Sequence, residues 1–316
     1  MTGRALPISV VMPTRNVRQR LEQHLERNQE WLTRVEEIII VDSYSTDGSI
    51  DYLRKHLSHP KVRFLQHTPG LWESWNYGIC QARTPYTYIS TTGDTITLDG
   101  LTHLYESIET LQTDAIISPP IFERETTLSR KPKHWPIHKL VESLHIKQPI
   151  HIPQTILYPH AIYHLERAIL GSSASNLYRT TTLQQYPFPT DYGPAGDSAW
   201  TLTYNYHVNL AFSPRRISTF LIHGKAHSMT DWARTRLSSN LLKLANGIVG
   251  INPHDNPLMR QLLHLQQKRL FHKRHRNYYR RKLTPLRFQL SPSVSLCRKR
   301  IRRIKRQMNQ ILAQSI

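Results

Sequence analysis

The run Ile38-Ile39-Ile40-Val41 is entirely β-branched and stops at Asp42. A strand with one wet face alternates apolar and polar residues, so an unbroken run of this kind belongs in a sheet covered on both faces, typically a parallel sheet wrapped by helices. Its neighbours agree. Ile8-Ser9-Val10-Val11-Met12 is a second short apolar run, closed by Pro13 and the polar turn Thr14-Arg15-Asn16; Val62–Gln66 and Tyr86–Ser90 are a third and a fourth. Helical spacing fills the intervals at about 19–33, 49–56 and 70–82. Strands alternating with helices in short units predict an α/β fold, with a Rossmann-like, mostly parallel central sheet wound by right-handed crossovers.

In such sheets ligands bind outside the carboxyl ends of the strands. Asp42 stands there, where its carboxylate can accept from a base N–H or a ribose hydroxyl, or simply close a turn. Asp47, inside Ser45-Thr46-Asp47-Gly48, has the composition of a turn entering a helix. Gly93-Asp94 ends the fourth strand and leaves a further carboxylate at the same edge, with a turn role as its alternative. Leu98, Leu101, Leu104, Ile108 and Leu111 mark a helix, and Ala115–Ser118 a strand. Residues 119–170 have no clear period, and variable loops of this kind are where an acceptor site would be built. Their histidines, His134, His138, His151, His160 and His164, lack the tight spacing of a zinc site, so packing or solvent-facing roles are expected. Gly196-Asp197 opens a helix running to about Tyr206. Asp197 can cap that helix and still act chemically, because the helix dipole favours its ionised form. Val208–Phe212 and Ser218–Ile222 are expected strands.

The formal net charge of +20 is unevenly placed. Residues 256–316 hold 17 of the 42 Lys and Arg residues and no Asp or Glu, which leaves 1–255 nearly neutral. Ile301, Ile304, Met308 and Ile311 recur at helical spacing among basic residues, the composition of a helix that lies on an anionic membrane surface. The same block could instead stay solvated, or bind nucleic acid through phosphate contacts and stacking on Phe271, Tyr278 and Tyr279. The expected organisation is a body over 1–255, divided into 1–118 and 119–255, and a basic helical tail over 256–316.

Three motifs resemble family 2 glycosyltransferases of the glycosyltransferase-A fold. They are Ser9-Val10-Val11-Met12-Pro13-Thr14-Arg15-Asn16, then Ile39-Ile40-Val41-Asp42-Ser43 with Ser45-Thr46-Asp47-Gly48-Ser49, then Gly70 with Trp75-Asn76-Tyr77-Gly78-Ile79. The resemblance implies an inverting transferase that uses a UDP- or GDP-type nucleotide sugar. It places Pro13, Thr14, Arg15, Asn16, Asp42, Ser45 and Asn76 at the donor. Where the family carries Asp-x-Asp, this chain has Thr91-Thr92-Gly93, and only Asp94 is acidic. That stretch looks like an Asn-x-Gly-Asp variant, which implicates Thr92, Gly93 and Asp94 in donor binding and Asp94 in holding Mn²⁺ or Mg²⁺ against the diphosphate. Gly196-Asp197 matches the position of the family's catalytic base. His223 is a further candidate for the metal, and Lys225 for the diphosphate.

The Gln-x-x-Arg-Trp signature of processive members is missing, so one transfer per encounter is expected, to a glycan or lipid-linked saccharide in cell-envelope polysaccharide synthesis. A nucleotidyltransferase would need a Gly-rich triphosphate loop, and Pro13-Thr14-Arg15-Asn16 is not one. With the body nearly neutral, nucleic acid is the less favoured partner. Cys80 and Cys297 offer no disulfide framework. The N-terminal apolar segment is short for a secretory signal, and no run of about 18 apolar residues could span a bilayer. A cytoplasmic protein, at most peripheral on the inner membrane face, is expected.

Overall fold

A computed structural model describes residues 5–125, 134–165, 167, 169–222, 231–251 and 257–314. In chain order its elements are β1 (Leu6–Thr14), α1 (Arg18–Leu32), β2 (Val35–Asp42), α2 (Ser49–His56), β3 (Val62–Gln66) and α3 (Leu71–Gln81). Next come β4 (Tyr86–Ile89), β5 (Thr95–Ile96), α4 (Leu98–Leu111), β6 (Ala115–Ile117), β7 (Ile121–Arg124), α5 (Pro136–Ser143), β8 (Ile150–His151) and α6 (Gln154–Tyr163). The remainder are β9 (Asn176–Arg179), α7 (Thr180–Gln185), α8 (Gly196–Tyr204), β10 (Leu210–Phe212), β11 (Ser218–Ile222), α9 (Asp231–Ile251), α10 (Pro257–Lys282), α11 (Pro285–Leu290) and α12 (Pro292–Gln314).

The chain forms two compact units. The first comprises Met1–Ile152, Leu170–Gly196 and His207–Ala226; the second comprises Pro153–Ile169, Asp197–Tyr206 and His227–Ile316.

In the first unit, eight strands form one sheet in the order β3-β2-β1-β4-β9-β6-β10-β8. The four strands of the N-terminal half run parallel, as their alternation with helices predicts. β9 then enters antiparallel to both β4 and β6. It arrives after a long irregular stretch and not through a single crossover helix, so the crossover rule does not fix its direction. A small second sheet joins β5, β11 and β7.

Both faces of the parallel half are covered. Ile8, Val10, Met12, Ile38 and Ile40 pack with Leu21 and Trp31 of α1 and Leu101, Leu104 and Ile108 of α4. On the other face α3 lies directly on the strands at Gly78, where an added Cβ would stand 2.5 Å from Val11 Cγ1 and 2.9 Å from Val41 Cγ2. Gly78→Val is therefore expected to overpack this layer and cost about 1–3 kcal/mol, measured as a lower urea midpoint. An unchanged midpoint would show that α3 is free to lift off the sheet.

The second unit is helical, and α10 packs on α6, α9 and α12. Leu157, Tyr158 and Ile162 of α6 are buried, as are Leu262, Leu263 and Leu270 of α10. Gln266 donates to the carbonyls of Ile162 and Tyr163, tying α10 to the end of α6. Residues 153–169 and 197–206 thus group with the basic segment, a division that differs from the boundary at 255 read from charge alone. Charge marks where the acids stop, whereas packing follows the apolar faces. Ile301, Ile304, Met308 and Ile311 are buried within the chain, and Arg302, Arg303, Lys305 and Arg306 are exposed. The face of α12 presented outward is basic, not apolar. Among the described residues no helix is long and apolar enough to cross a membrane.

Candidate active site

Three adjacent parallel strands, β2, β1 and β4, end together, with Thr14 in register with Asp42. Loops then leave the sheet and enclose a cleft of about 360 Å³, lined by Pro13, Thr14, Arg15, Ser43, Ser74, Thr92 and their neighbours. Its described lining holds five hydroxyls, one cation (Arg15) and no carboxylate. Thr92 Oγ1 is buried there without a hydrogen-bond partner among the described residues. A buried hydroxyl in that position can serve a ligand without breaking an internal bond.

The first two loops are stitched to each other. Asn16, in the left-handed region at φ 49°, donates from its backbone N–H to Ser45 Oγ (3.0 Å), and its Oδ1 accepts from Thr46 N (2.9 Å). Val17 N donates to Ser49 Oγ (3.0 Å). Asp47 accepts from Arg18 N (2.9 Å) and Ser49 N (3.0 Å), closing the N-termini of α1 and α2 at once. Burial opposes its charge, but the hydrogen bonds from Ser49 and Arg18 hold its carboxyl below the ordinary range. Asp47 is a turn and capping residue, as its sequence context predicts. Asp42 is 2% exposed, and both its oxygens face Ser45 N (3.3 and 3.2 Å). Asn16, Asp42 and Ser45 therefore shape the loops beside the cleft. Tyr44 between them is 55% exposed with φ 55°, a conformation that costs a bulky L-residue about 1–2 kcal/mol.

The third loop, Thr91–Asp94, turns at Gly93 with φ 103°. Thr91 and Thr92 face the cleft, but the Asp94 carboxylate points into the fold. Its Oδ2 accepts from Thr91 Oγ1 (2.8 Å) and Ser172 Oγ (3.1 Å), and its Oδ1 accepts from Leu221 N (3.0 Å). Burial pushes the carboxyl up to about 6 against these three bonds. Two residues of α1 that sequence reasoning missed support the same turn. His24 Nδ1 accepts from Gly93 N (3.3 Å) while its Nε2 meets Ser90 Oγ (3.2 Å). Burial drives this ring down to about 4, so it is neutral. With Nδ1 accepting, the proton sits on Nε2 and is donated to Ser90. Asn28 Oδ1 accepts from Ile96 N (3.3 Å) and Trp31 Nε1 (2.8 Å).

Asn76 bonds the protein itself. Its Nδ2 donates to Phe188 O (2.8 Å) and its Oδ1 accepts from Phe188 N (3.0 Å), so both halves of the amide are taken. Trp72 and Trp75 pack on the Phe188 ring. Gly196 sits so close to Trp72 that a Cβ would come within 2.6 Å of that ring. α3 thereby clamps the segment that ends at Gly196. Asp197 follows in sequence and belongs to the second unit, in the first turn of α8. Crowding by protein pushes its carboxyl up to about 7, against a 2.6 Å hydrogen bond from Ser198 N to Oδ1.

A divalent cation requires several oxygen ligands. Among the described residues no three His, Cys, Asp or Glu side chains gather into such a site, and both Asp94 oxygens already accept protein hydrogen bonds. The described lining of the cleft thus offers a metal no carboxylate ligand, and in that respect the described residues do not fit one. His223 and Lys225 lie outside the described residues. Of the histidines of the irregular stretch, His138 and His160 are buried, His138 bonding Pro120 O (2.8 Å), whereas His151 is exposed and bonds Leu111 O (2.9 Å).

Comparison with known proteins agrees with this architecture. Residues 9–166 match the family model described as Glycosyl transferase family 2. The fold is similar to that of S. aureus TarS 1–349 in complex with UDP-GlcNAc, with a TM-score of 0.61 and 15% identity over 92% of this chain and 79% of that one. It is also similar to the mannosyltransferase PcManGT from Pyrobaculum calidifontis in complex with GDP-Man and Mn²⁺ (TM-score 0.56, 16% identity, 99% and 86% covered). At these identities the likeness is one of fold. No curated protein matches the sequence.

Proposed function

The chain belongs to glycosyl transferase family 2, and from that premise we propose that it moves a sugar from a UDP- or GDP-type donor to a hydroxyl of a glycan or lipid-linked saccharide. The observation that carries the proposal is the cleft at the carboxyl ends of β1, β2 and β4, where Arg15 and a set of hydroxyls offer positive charge and donors without an opposing carboxylate. A diphosphate needs that lining. TarS holding UDP-GlcNAc and PcManGT holding GDP-Man on the same fold support the choice of donor class.

In this mechanism Asp197 takes the proton of the acceptor hydroxyl as its oxygen attacks the anomeric carbon from the face opposite the diphosphate, which inverts the anomeric configuration. Arg15 and the Thr92 hydroxyl meet the departing diphosphate. No step runs through a cation, because the described residues do not fit one. Transfer is expected to persist in EDTA; complete loss, restored by Mn²⁺, would return a metal to the site. Tyr44 is the proposed platform for the base, next to Asp42. Base stacking on an aromatic ring is worth about 1–3 kcal/mol, so Tyr44→Ala should raise the donor KM about tenfold or more with kcat little changed. An unchanged KM would remove it from the site.

The test of the activity is release of UDP or GDP from UDP-GlcNAc, UDP-Glc and GDP-Man, with the anomer of the product read by NMR. Release from one base class with inversion is expected. Retention of configuration, or no release from any donor with acceptor-bearing membranes present, would contradict the proposal.

A further inference from the structure

The solvent-facing side of α10 carries a ridge of rings and cations that donor chemistry does not use. His264, Lys268, Phe271, His275, Tyr278 and Lys282 follow one another in steps of four and three, which on an α-helix is a single face. All six are exposed, and Phe271 and Tyr278 keep 56% and 57% of their surface in solvent. The opposite side, through Leu262, Leu263, Gln266 and Leu270, holds the helix in its unit. Among the described residues none of the six makes an ion pair or a side-chain hydrogen bond. Their ring contacts stay on α10 itself, Phe271 with His275 at 4.4 Å and Tyr278 with Tyr279 at 5.6 Å.

Each exposed ring has a lysine within about one helical turn, Lys268 before Phe271 and Lys282 after Tyr278, and residues 256–316 hold no Asp or Glu. A surface that fits this ridge is therefore anionic and offers an apolar layer beside its charges. A ridge on one unbroken helix, roughly 27 Å from residue 264 to 282, can meet a plane along its whole length. Single-stranded nucleic acid is instead tracked by a positively charged groove. A second copy of this chain would bring Lys268 and Lys282 toward another cationic ridge in either orientation, and like charges across a helix pair oppose association. The interface of an anionic bilayer supplies both chemistries, phosphates for the lysines and a half-wet apolar layer for the rings.

We propose that this ridge docks the chain on an anionic membrane surface, with Phe271 and Tyr278 seated at the level of the headgroups and Lys268 and Lys282 paired with lipid phosphates. The surface is not the apolar stripe of α12 to which the sequence points, because Ile301, Ile304, Met308 and Ile311 are buried within the chain. The assignment does not rest on the transferase reaction.

The test is cosedimentation of the full chain with vesicles of phosphatidylcholine, with and without phosphatidylglycerol. Two variants alter the ridge, Phe271→Ser/Tyr278→Ser and Lys268→Gln/Lys282→Gln. Two alter exposed side chains of α12, Leu296→Ser and Arg302→Gln/Arg303→Gln. Circular-dichroism melting should be unchanged in all four, since the substitutions are on the surface. Binding is expected to the anionic vesicles alone and to fall as salt rises. Each ridge pair should weaken it about tenfold or more, and either α12 variant less than about threefold, because a cation acts on the surface only within about a Debye length.

Absence of binding to anionic vesicles would overturn the proposal. Full binding by Phe271→Ser/Tyr278→Ser, or equal losses in the two charge pairs, would overturn it in favour of diffuse surface charge. So would an RNA oligonucleotide that binds where vesicles do not and is weakened by the ridge pairs, which would assign the ridge to nucleic acid. A dimer in sedimentation velocity that Phe271→Ser/Tyr278→Ser abolishes would assign it to a second copy of the chain.

Discussion

Asp197→Asn is expected to lower kcat by about 10²–10⁴-fold and to leave the donor KM near its original value, because the substitution removes the proposed proton acceptor and leaves the shape of the side chain. The pH profile of the unaltered enzyme should carry the same group. With the carboxyl of this half-buried residue pushed up to about 7 by the protein around it, Asp197 is expected to be half protonated near neutrality, so kcat should rise as pH passes through about 7 and level above it. Stability moves the opposite way. The folded chain holds this proton more tightly than the unfolded chain does, so the stabilisation is full below the ordinary carboxylate range and is lost as pH rises to about 7. Asp197→Asn should therefore abolish both the ascending limb of activity and that part of the pH dependence of stability. Turnover within a few-fold of the unaltered enzyme would remove Asp197 from the chemistry.

The second large effect separates two roles for Asp94. Asp94→Ala strands Thr91 Oγ1, Ser172 Oγ and Leu221 N inside the fold. An orphaned buried polar group costs about 1–3 kcal/mol, so the variant should lose several kcal/mol and lower the melting midpoint steeply. Asp94→Asn should be much milder. Its carbonyl can still accept from Leu221 N, and hydroxyls can reverse to accept from its amide. A metal ligand behaves differently, since both substitutions would end transfer whatever the stability. Persistent transfer in Asp94→Asn supports the structural role, and loss of transfer with an unchanged melting midpoint would overturn it. Asp94 titrates at about 6, so its stabilisation too is lost as pH rises toward 6 from the ordinary carboxylate range, a slope that Asp94→Asn should remove.

Much of the parallel half could be read from the chain itself, because its signals are local. The strand ending at Asp42 and the turn residues Ser45–Ser49 needed only apolar runs, breakers and helix spacing. Ser218–Ile222 was legible as a strand, but the antiparallel entry of β9 and the pairing of β11 with β5 and β7 did not follow, since pairing depends on residues far apart in sequence. At the site, Asn76 shows how a motif marks a position without stating its bond. Its amide fixes Phe188, 112 residues away in sequence. His24 and Asn28 left a signal that went unused: they are polar positions on the buried face of α1, in line with Leu21 and Trp31. A polar residue on an apolar stripe must bond something inside, and here it bonds the Thr91–Asp94 turn. In α12, spacing identified the apolar stripe correctly, but what covers it depends on α6 and α10.

The cleft bearing Arg15 is proposed to receive the diphosphate of a nucleotide. Calorimetric titration with UDP and with GDP, on the unaltered chain, Arg15→Ala, Tyr44→Ala and Asp197→Asn, tests it most directly. One of the two nucleotides should bind at a single saturable site, weakened about tenfold or more by Arg15→Ala and by Tyr44→Ala and little changed by Asp197→Asn. Binding of neither nucleotide, or binding indifferent to both Arg15→Ala and Tyr44→Ala, would contradict it.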